Sequence, residues 1–212
     1  MKLKNRTRLM VSLTLFAAFA LWTFLLGVVD VAAIGPRGSS VGFSTLNGAF
    51  HRLTGVCMPL YTVTDWLGLV PVAIGFGFAL LGLWQWIRRK QLFKVDYSLF
   101  VLGGFYIVML ACYLAFESVV INYRPTLINN FLEVSYPSST TLLTLCVMPT
   151  AIHQWHRRLH SHIVTVLATL FTAFMVIGRL LSGVHWLTDI IGGTLLSAAL
   201  VTLYLFFVYQ KQ

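Results

Sequence analysis

"GRLLSGVHWLTD", residues 178–189, joins two long apolar runs near the end of the chain. Arg179, His185 and Asp189 stand there among residues that otherwise suit lipid. Ionisable side chains at membrane depth are costly and rare, so their default reading is a functional site. The stretch also decides the fold. If the flanking runs cross a bilayer, Ser182-Gly183 is a tight turn at one membrane face, and all three polar residues gather at that face.

The rest of the chain supports crossing. Hydrophobic residues make up 58% of the 212 and charged residues only 10%, far too apolar for a soluble domain of this size. Six runs, near 9–34, 65–87, 97–119, 140–155, 162–181 and 186–208, approach or exceed the roughly 20 residues that a membrane helix needs. The fourth is the shortest and contains Pro149. The first follows Lys2, Lys4, Arg6 and Arg8, as a signal peptide would, but its apolar run is too long for one, so a retained span is expected. The prediction is an all-α polytopic membrane protein: a single domain over 1–212, built as a bundle of six transmembrane helices.

The net charge of +9 could suggest a nucleic-acid partner, but its distribution argues for topology instead. With the N-terminus inside and six crossings, inner segments hold Lys2, Lys4, Arg6, Arg8, Arg88, Arg89, Lys90, Lys94, Arg157, Arg158 and Lys211. Only Arg37, Arg52, Arg124 and Arg179 fall toward the outside. This positive-inside bias places both termini in the cytoplasm and exposes 35–64, 120–139 and 182–185 outside. It fits integral residence in a bacterial cytoplasmic membrane with membrane lipids as partners and no nucleic acid. "GPRGSSVGFSTLNGAFHRLTGV", residues 35–56, is amphipathic and is expected to lie along the outer interface above the site.

Cysteines at 57, 112 and 146 form neither a disulfide framework nor a zinc spacing. "HQWHRRLHSH" at 153–162 holds His153, His156, His160 and His162, yet it contains no Cys or acid and lies at the inner face. It reads as a basic, aromatic loop at headgroup level, and no metal or cofactor is expected.

The outer polar residues suggest a reaction. Four residues separate His185 from Asp189, one helical turn if the last span begins near Val184. A carboxylate so placed fixes the histidine tautomer and frees the other ring nitrogen as nucleophile or base. Arg124, before Pro125, suits a break at a span end. Two arginines meeting a histidine point to phosphate, because guanidinium groups bind phosphoryl oxygens bidentately and offset transition-state charge.

These residues resemble the type 2 phosphatidic acid phosphatase superfamily of membrane lipid phosphatases. That family's signature is Lys, six residues, Arg-Pro; then Pro-Ser-Gly-His; then Ser-Arg, five residues, His, three residues, Asp. Here the third part reads Gly178-Arg179, five residues, His185, three residues, Asp189. The first reads Glu117, six residues, Arg124-Pro125, and the second Pro137-Ser138-Ser139-Thr140. The resemblance implies that His185 attacks phosphorus to form a phosphohistidine, with Asp189 orienting it. It implies that Arg124 and Arg179 clamp the phosphoryl oxygens and that Ser138 and Ser139 line the pocket. The implied activity is a cofactor-free lipid phosphatase or phosphotransferase, a phosphoric ester hydrolase acting on a lipid phosphate or diphosphate at the outer face.

Two departures stand out. Glu117 replaces the motif lysine, changing local charge by two, and Thr140 replaces the histidine that protonates the leaving group. A diphosphate needs little leaving-group protonation. Alternatively, Glu117 is a substitute acid with a pKa raised by desolvation. A third reading has Glu117 facing a cationic headgroup on a phosphodiester, with headgroup transfer or hydrolysis as the reaction. Against all three stands a non-catalytic lipid-binding or transport protein of the same fold.

Overall fold

The computed structural model describes residues 2–159 and 161–210, which leaves His160 and Lys211 outside the described residues. Eight α-helices follow in order: α1 Lys2–Val28, α2 Ser44–Thr54, α3 Met58–Leu67, α4 Leu69–Arg89, α5 Tyr97–Ser118, α6 Ser139–Leu159, α7 His162–Leu181 and α8 Leu187–Val208. Among the described residues no β-strand forms. Isolated bridges pair Ala32 with Val41, Tyr123 with Val134 and Ile128 with Phe131.

The protein is an integral membrane protein with an all-helical fold. Among the described residues, five stretches are long and apolar enough to cross a bilayer: Leu3–Val28, Met58–Arg89, Tyr97–Ser118, His162–Leu181 and Leu187–Val208. The sixth expected span, near 140–155, forms as the 21-residue α6 but falls short of that apolar standard. Its position explains why. α6 packs against α4, α7 and α8, and its polar residues are buried inside the bundle. Gln154 donates to Tyr204 Oη at 2.9 Å and to Ser98 O at 3.2 Å, and Thr150 returns its hydroxyl to Cys146 O at 2.8 Å. A helix shielded from lipid satisfies its polar groups on neighbours.

Other bounds shift for local reasons. The first helix ends at Val28 instead of near 34, because Asp30 takes a left-handed conformation and its carboxylate accepts from Ser44 Oγ and Thr45 N at the start of α2. The second span starts at Met58, earlier than expected, and is jointed at Gly68. Pro71 lies just beyond that joint and has no N–H to bond backward across it.

α8 is the centre of the bundle, flanked by α1 and α6. Ser12 Oγ donates to Ala199 O at 2.9 Å and Trp22 Nε1 to Thr188 O at 3.2 Å, joining α1 to α8. Two successive glycines in α8 admit neighbours at close range. A Cβ on Gly192 would lie 2.4 Å from the Tyr136 ring, and one on Gly193 would lie 3.2 Å from Ser138 O. They permit close packing, and the partner at Gly192 is a loop residue.

The two ends of the bundle differ in charge. Asp96, at the end where α4 meets α5, pairs with Arg89 at 3.1 Å and Arg158 at 3.3 Å. Arg8 lies 4.2 Å from the centre of the Tyr209 ring at this same end. Of the six acidic residues, Asp30, Asp65, Glu117, Glu133 and Asp189 all belong to the opposite end. The cysteines are free, and His153 packs edge-on against the Tyr204 and Tyr209 rings.

Candidate active site

At the acidic end, residues 119–138 fold back as an irregular hairpin. Asn129 and Asn130 both take left-handed conformations (φ 50° and 66°) and turn the chain between Ile128 and Phe131. Asparagine tolerates that conformation because its short polar side chain bonds locally. Arg124 N donates to Glu133 O at 3.0 Å and Ser135 N to Asn122 O at 2.9 Å. One limb therefore presents Arg124 and the other presents Glu133 and Ser135. Arg37 Nη2 holds the tip at Asn130 O (3.0 Å), and Trp186 Nε1 holds the base at Tyr123 O (2.8 Å).

Trp186 caps α8, and His185 precedes it in the turn, so His185 and Asp189 do not share a helical face as expected. Asp189 is the third residue of α8, and its Oδ2 accepts from Trp186 N at 2.9 Å. A carboxylate there satisfies an otherwise unpaired helix N–H and suits the positive end of the helix dipole. Drawn back to that cap, Oδ2 lies 3.8 Å from His185 Nδ1, beyond hydrogen-bond reach.

Ser135 fills the gap. Its Oγ is 3.0 Å from His185 Nδ1 and 2.5 Å from Asp189 Oδ2. The hydroxyl donates to the carboxylate and accepts from Nδ1–H, which leaves the Nε2 lone pair free. Asn122 Nδ2 donates to Asp189 Oδ1 at 3.3 Å and completes the carboxylate's partners. His185 and Asp189 are both buried. Burial pulls the imidazole pKa down to about 4; Arg124 and Arg179 push the same way, and Asp189 opposes them.

The two guanidinium groups approach one aromatic ring. Tyr61 of α3 has its centre 4.9 Å from Arg179 Cζ and 5.9 Å from Arg124 Cζ. Arg179 reaches Thr64 Oγ1 and Asp65 Oδ1, each at 3.4 Å. Arg124 Nε lies 3.1 Å from Glu133 Oε2, but without hydrogen-bond alignment. Arg124 Nε and Nη1, Arg179 Nε and His185 Nε2 are all buried without a hydrogen-bond partner. Buried donors are normally satisfied, so a set of orphans here marks a place for an anion.

A cavity of about 530 Å³ opens beside Arg124 and His185, lined also by Glu117, Glu133, Ser135 and Ser139 but not by Arg179. Ser139 begins α6, whose first N–H groups add a partial positive charge at that wall. Ser138 is fully buried; its N–H donates to Asp189 O at 3.2 Å and its hydroxyl has no partner. Thr140 instead lines an adjoining apolar groove with Val72, Met109, Leu110 and Leu143. His51 packs 5.5 Å from the Trp186 ring and does not line the cavity.

The sequence reading missed Ser135, Tyr61, Asp65 and Glu133. Paired asparagines between apolar residues in "INYRPTLINNFLEVSY" are a hairpin signal that could have brought Arg124, Glu133 and Ser135 together. Nothing in the sequence links α3 to Arg179.

No curated protein sequence matches the chain. A solved structure, the first transmembrane PAP2 type phosphatidylglycerolphosphate phosphatase from Bacillus subtilis, is similar in fold, with a TM-score of 0.55 and 20% identity. The likeness covers 95% of this chain and 97% of that one. Residues 115–212 match the model of the PAP2 superfamily. That segment carries Glu117, Arg124, Ser135, Arg179, His185 and Asp189, and it is similar to the PAP2 superfamily over the second part of the chain.

Proposed function

We propose that the protein is a membrane lipid phosphatase or phosphotransferase that works through a phosphohistidine. One observation carries this reading: His185 Nε2 is buried and unpartnered beside unpartnered guanidinium N–H groups, while Nδ1 is held from the far side by Ser135. A protein that only bound phosphate would need the arginines but not an oriented imidazole.

In the reaction, Nε2 attacks phosphorus. The N–P bond forms, and the P–O bond to the lipid breaks. Arg124 and Arg179 hold the phosphoryl oxygens and offset the charge that develops on them. As the imidazole becomes cationic, Nδ1–H strengthens its bond to Ser135, whose hydroxyl is already committed to Asp189. The departing oxygen takes a proton from water in the open cavity. A second water then cleaves the N–P bond and returns the histidine.

The apolar groove at Thr140 shares Tyr113, Ser139 and Leu142 with the polar cavity, which suits a substrate with its headgroup in one and its chain in the other. The basic residues at the opposite end favour a cytoplasmic orientation there and so support a site at the outer face. His185→Ala should abolish turnover, by at least about 10³-fold, and prevent acid-labile ³²P labelling of the protein by a labelled lipid phosphate. Near wild-type turnover in that variant would remove the mechanism.

A further inference from the structure

Two carboxylates pair with the two arginines and a third lines the cavity beside Arg124, and phosphohistidine chemistry uses none of them. Glu133 is paired with Arg124, and Asp65 is paired with Arg179. Glu117 lines the same cavity as Arg124 and His185. All three differ from buried Asp189, whose oxygens are occupied by Ser135, Trp186 N and Asn122. Glu133, 40% exposed at its side chain, lines the cavity, and Asp65, 55% exposed, stands at the surface beside Arg179.

The charge balance restricts what enters. Asp65, Glu117, Glu133 and Asp189 set four carboxylates against two guanidinium groups, an excess of two negative charges. A phosphate monoester dianion would add two more and compete directly with Asp65 and Glu133 for the arginines. A phosphodiester whose headgroup carries an amine adds no net charge. Its phosphate can take the unpartnered Arg124 and Arg179 N–H groups, which belong to side chains at least nine-tenths buried. Its ammonium then finds carboxylates at the rim. Opposite charges a few ångströms apart near a protein surface interact strongly enough to decide between such ligands.

Building on the phosphoryl-transfer reading above, we infer that this site selects a phosphoryl group that brings its own positive charge, an amine-bearing lipid headgroup. Asp65, Glu117 and Glu133 are the selecting residues. On this reading the loss of the motif lysine and the gain of Glu117 are one adaptation, completed by two acids outside the motif.

The test is binding to the full chain in neutral detergent, with His185→Ala stopping turnover. Three short-chain probes are titrated: dihexanoyl phosphatidylethanolamine, phosphatidylglycerol and phosphatidic acid. Phosphatidylethanolamine should bind at least about tenfold tighter than phosphatidic acid. It should also bind tighter than phosphatidylglycerol, a diester of the same charge at phosphorus without the amine. Asp65→Asn with Glu117→Gln should shrink that preference at least about fivefold, and Glu133→Gln alone should move it the same way. Tighter binding of phosphatidic acid, or an unchanged ratio in both acid variants, overturns the inference and leaves the phosphoryl site standing. Binding of all three probes that is indifferent to Arg124→Ala and Arg179→Ala overturns both.

Discussion

A single hydroxyl separates His185 from the carboxylate that the motif spacing assigns to it. The residue types and their four-residue interval are visible in the sequence, but the third member is fifty positions upstream, in a hairpin whose return limb has no spacing rule. The interval misleads because Asp189 has a second task, capping α8, which draws Oδ2 away from the ring. Ser135 is therefore a positioning residue. Ser135→Ala should lower kcat on the order of 10²-fold with little change in KM, since the hydroxyl faces the imidazole and not the phosphate. Ser135→Thr should recover part of the loss. The same burial makes a pH prediction. A protonated imidazole has no free Nε2 lone pair, and with its pKa pulled down to about 4 the ring remains neutral well below the ordinary histidine value. The acid limb of kcat/KM due to His185 should therefore fall near pH 4, not near 6.5. It is resolved from the substrate's own ionisation by using a diester.

Helices were legible as long as lipid dictated their composition. Five apolar stretches emerge near the expected positions, whereas α6 needs the bundle around it to explain Thr150 and Gln154 in its interior. The pairing of α3 with α7 was not legible, because it depends on a missing atom. A Cβ on Gly178 would lie 2.7 Å from Thr64 Cγ2, so glycine here lets α3 bring Tyr61, Thr64 and Asp65 up to Arg179. The glycine in place of the motif serine is thus matched to its neighbour and is not a simple loss of one hydroxyl. Gly178→Ala should force the helices apart at a cost of about 1–3 kcal/mol and weaken phosphate binding. Adding Thr64→Ser removes the clashing methyl while keeping the hydroxyl, and should restore most of both. A thermal melt paired with a lipid titration checks this, and failure of the second change to rescue would break the proposed fit.

For the molecule as a whole, charge separates the two ends more cleanly than hydropathy separates the spans. Acids and the candidate site share one end; Asp96 with its arginines marks the other. Cysteines introduced at Lys90 and Gln210 in a Cys57→Ser background should react with an impermeant thiol reagent only after cells are opened. One introduced at Arg52 should react in intact cells. The reverse pattern would turn the site toward the cytoplasm. The hairpin that bears Arg124 and Ser135 belongs to this picture as well. Beyond its two chain ends, it is held by Arg37 at its tip, Trp186 at its base, the Tyr136 ring against Gly192, and the bonds from Asn122 and Ser135 to Asp189. Tyr136 also roots it in the apolar bundle: its ring stacks on Phe19 and its hydroxyl meets Thr23 Oγ1 at 2.7 Å, both on α1. Heat resistance of the reaction and heat resistance of the helices are therefore tied together in this protein: warming that unseats the hairpin pulls a buried ring from between α1 and α8, so the enzyme falls silent as the scaffold begins to loosen.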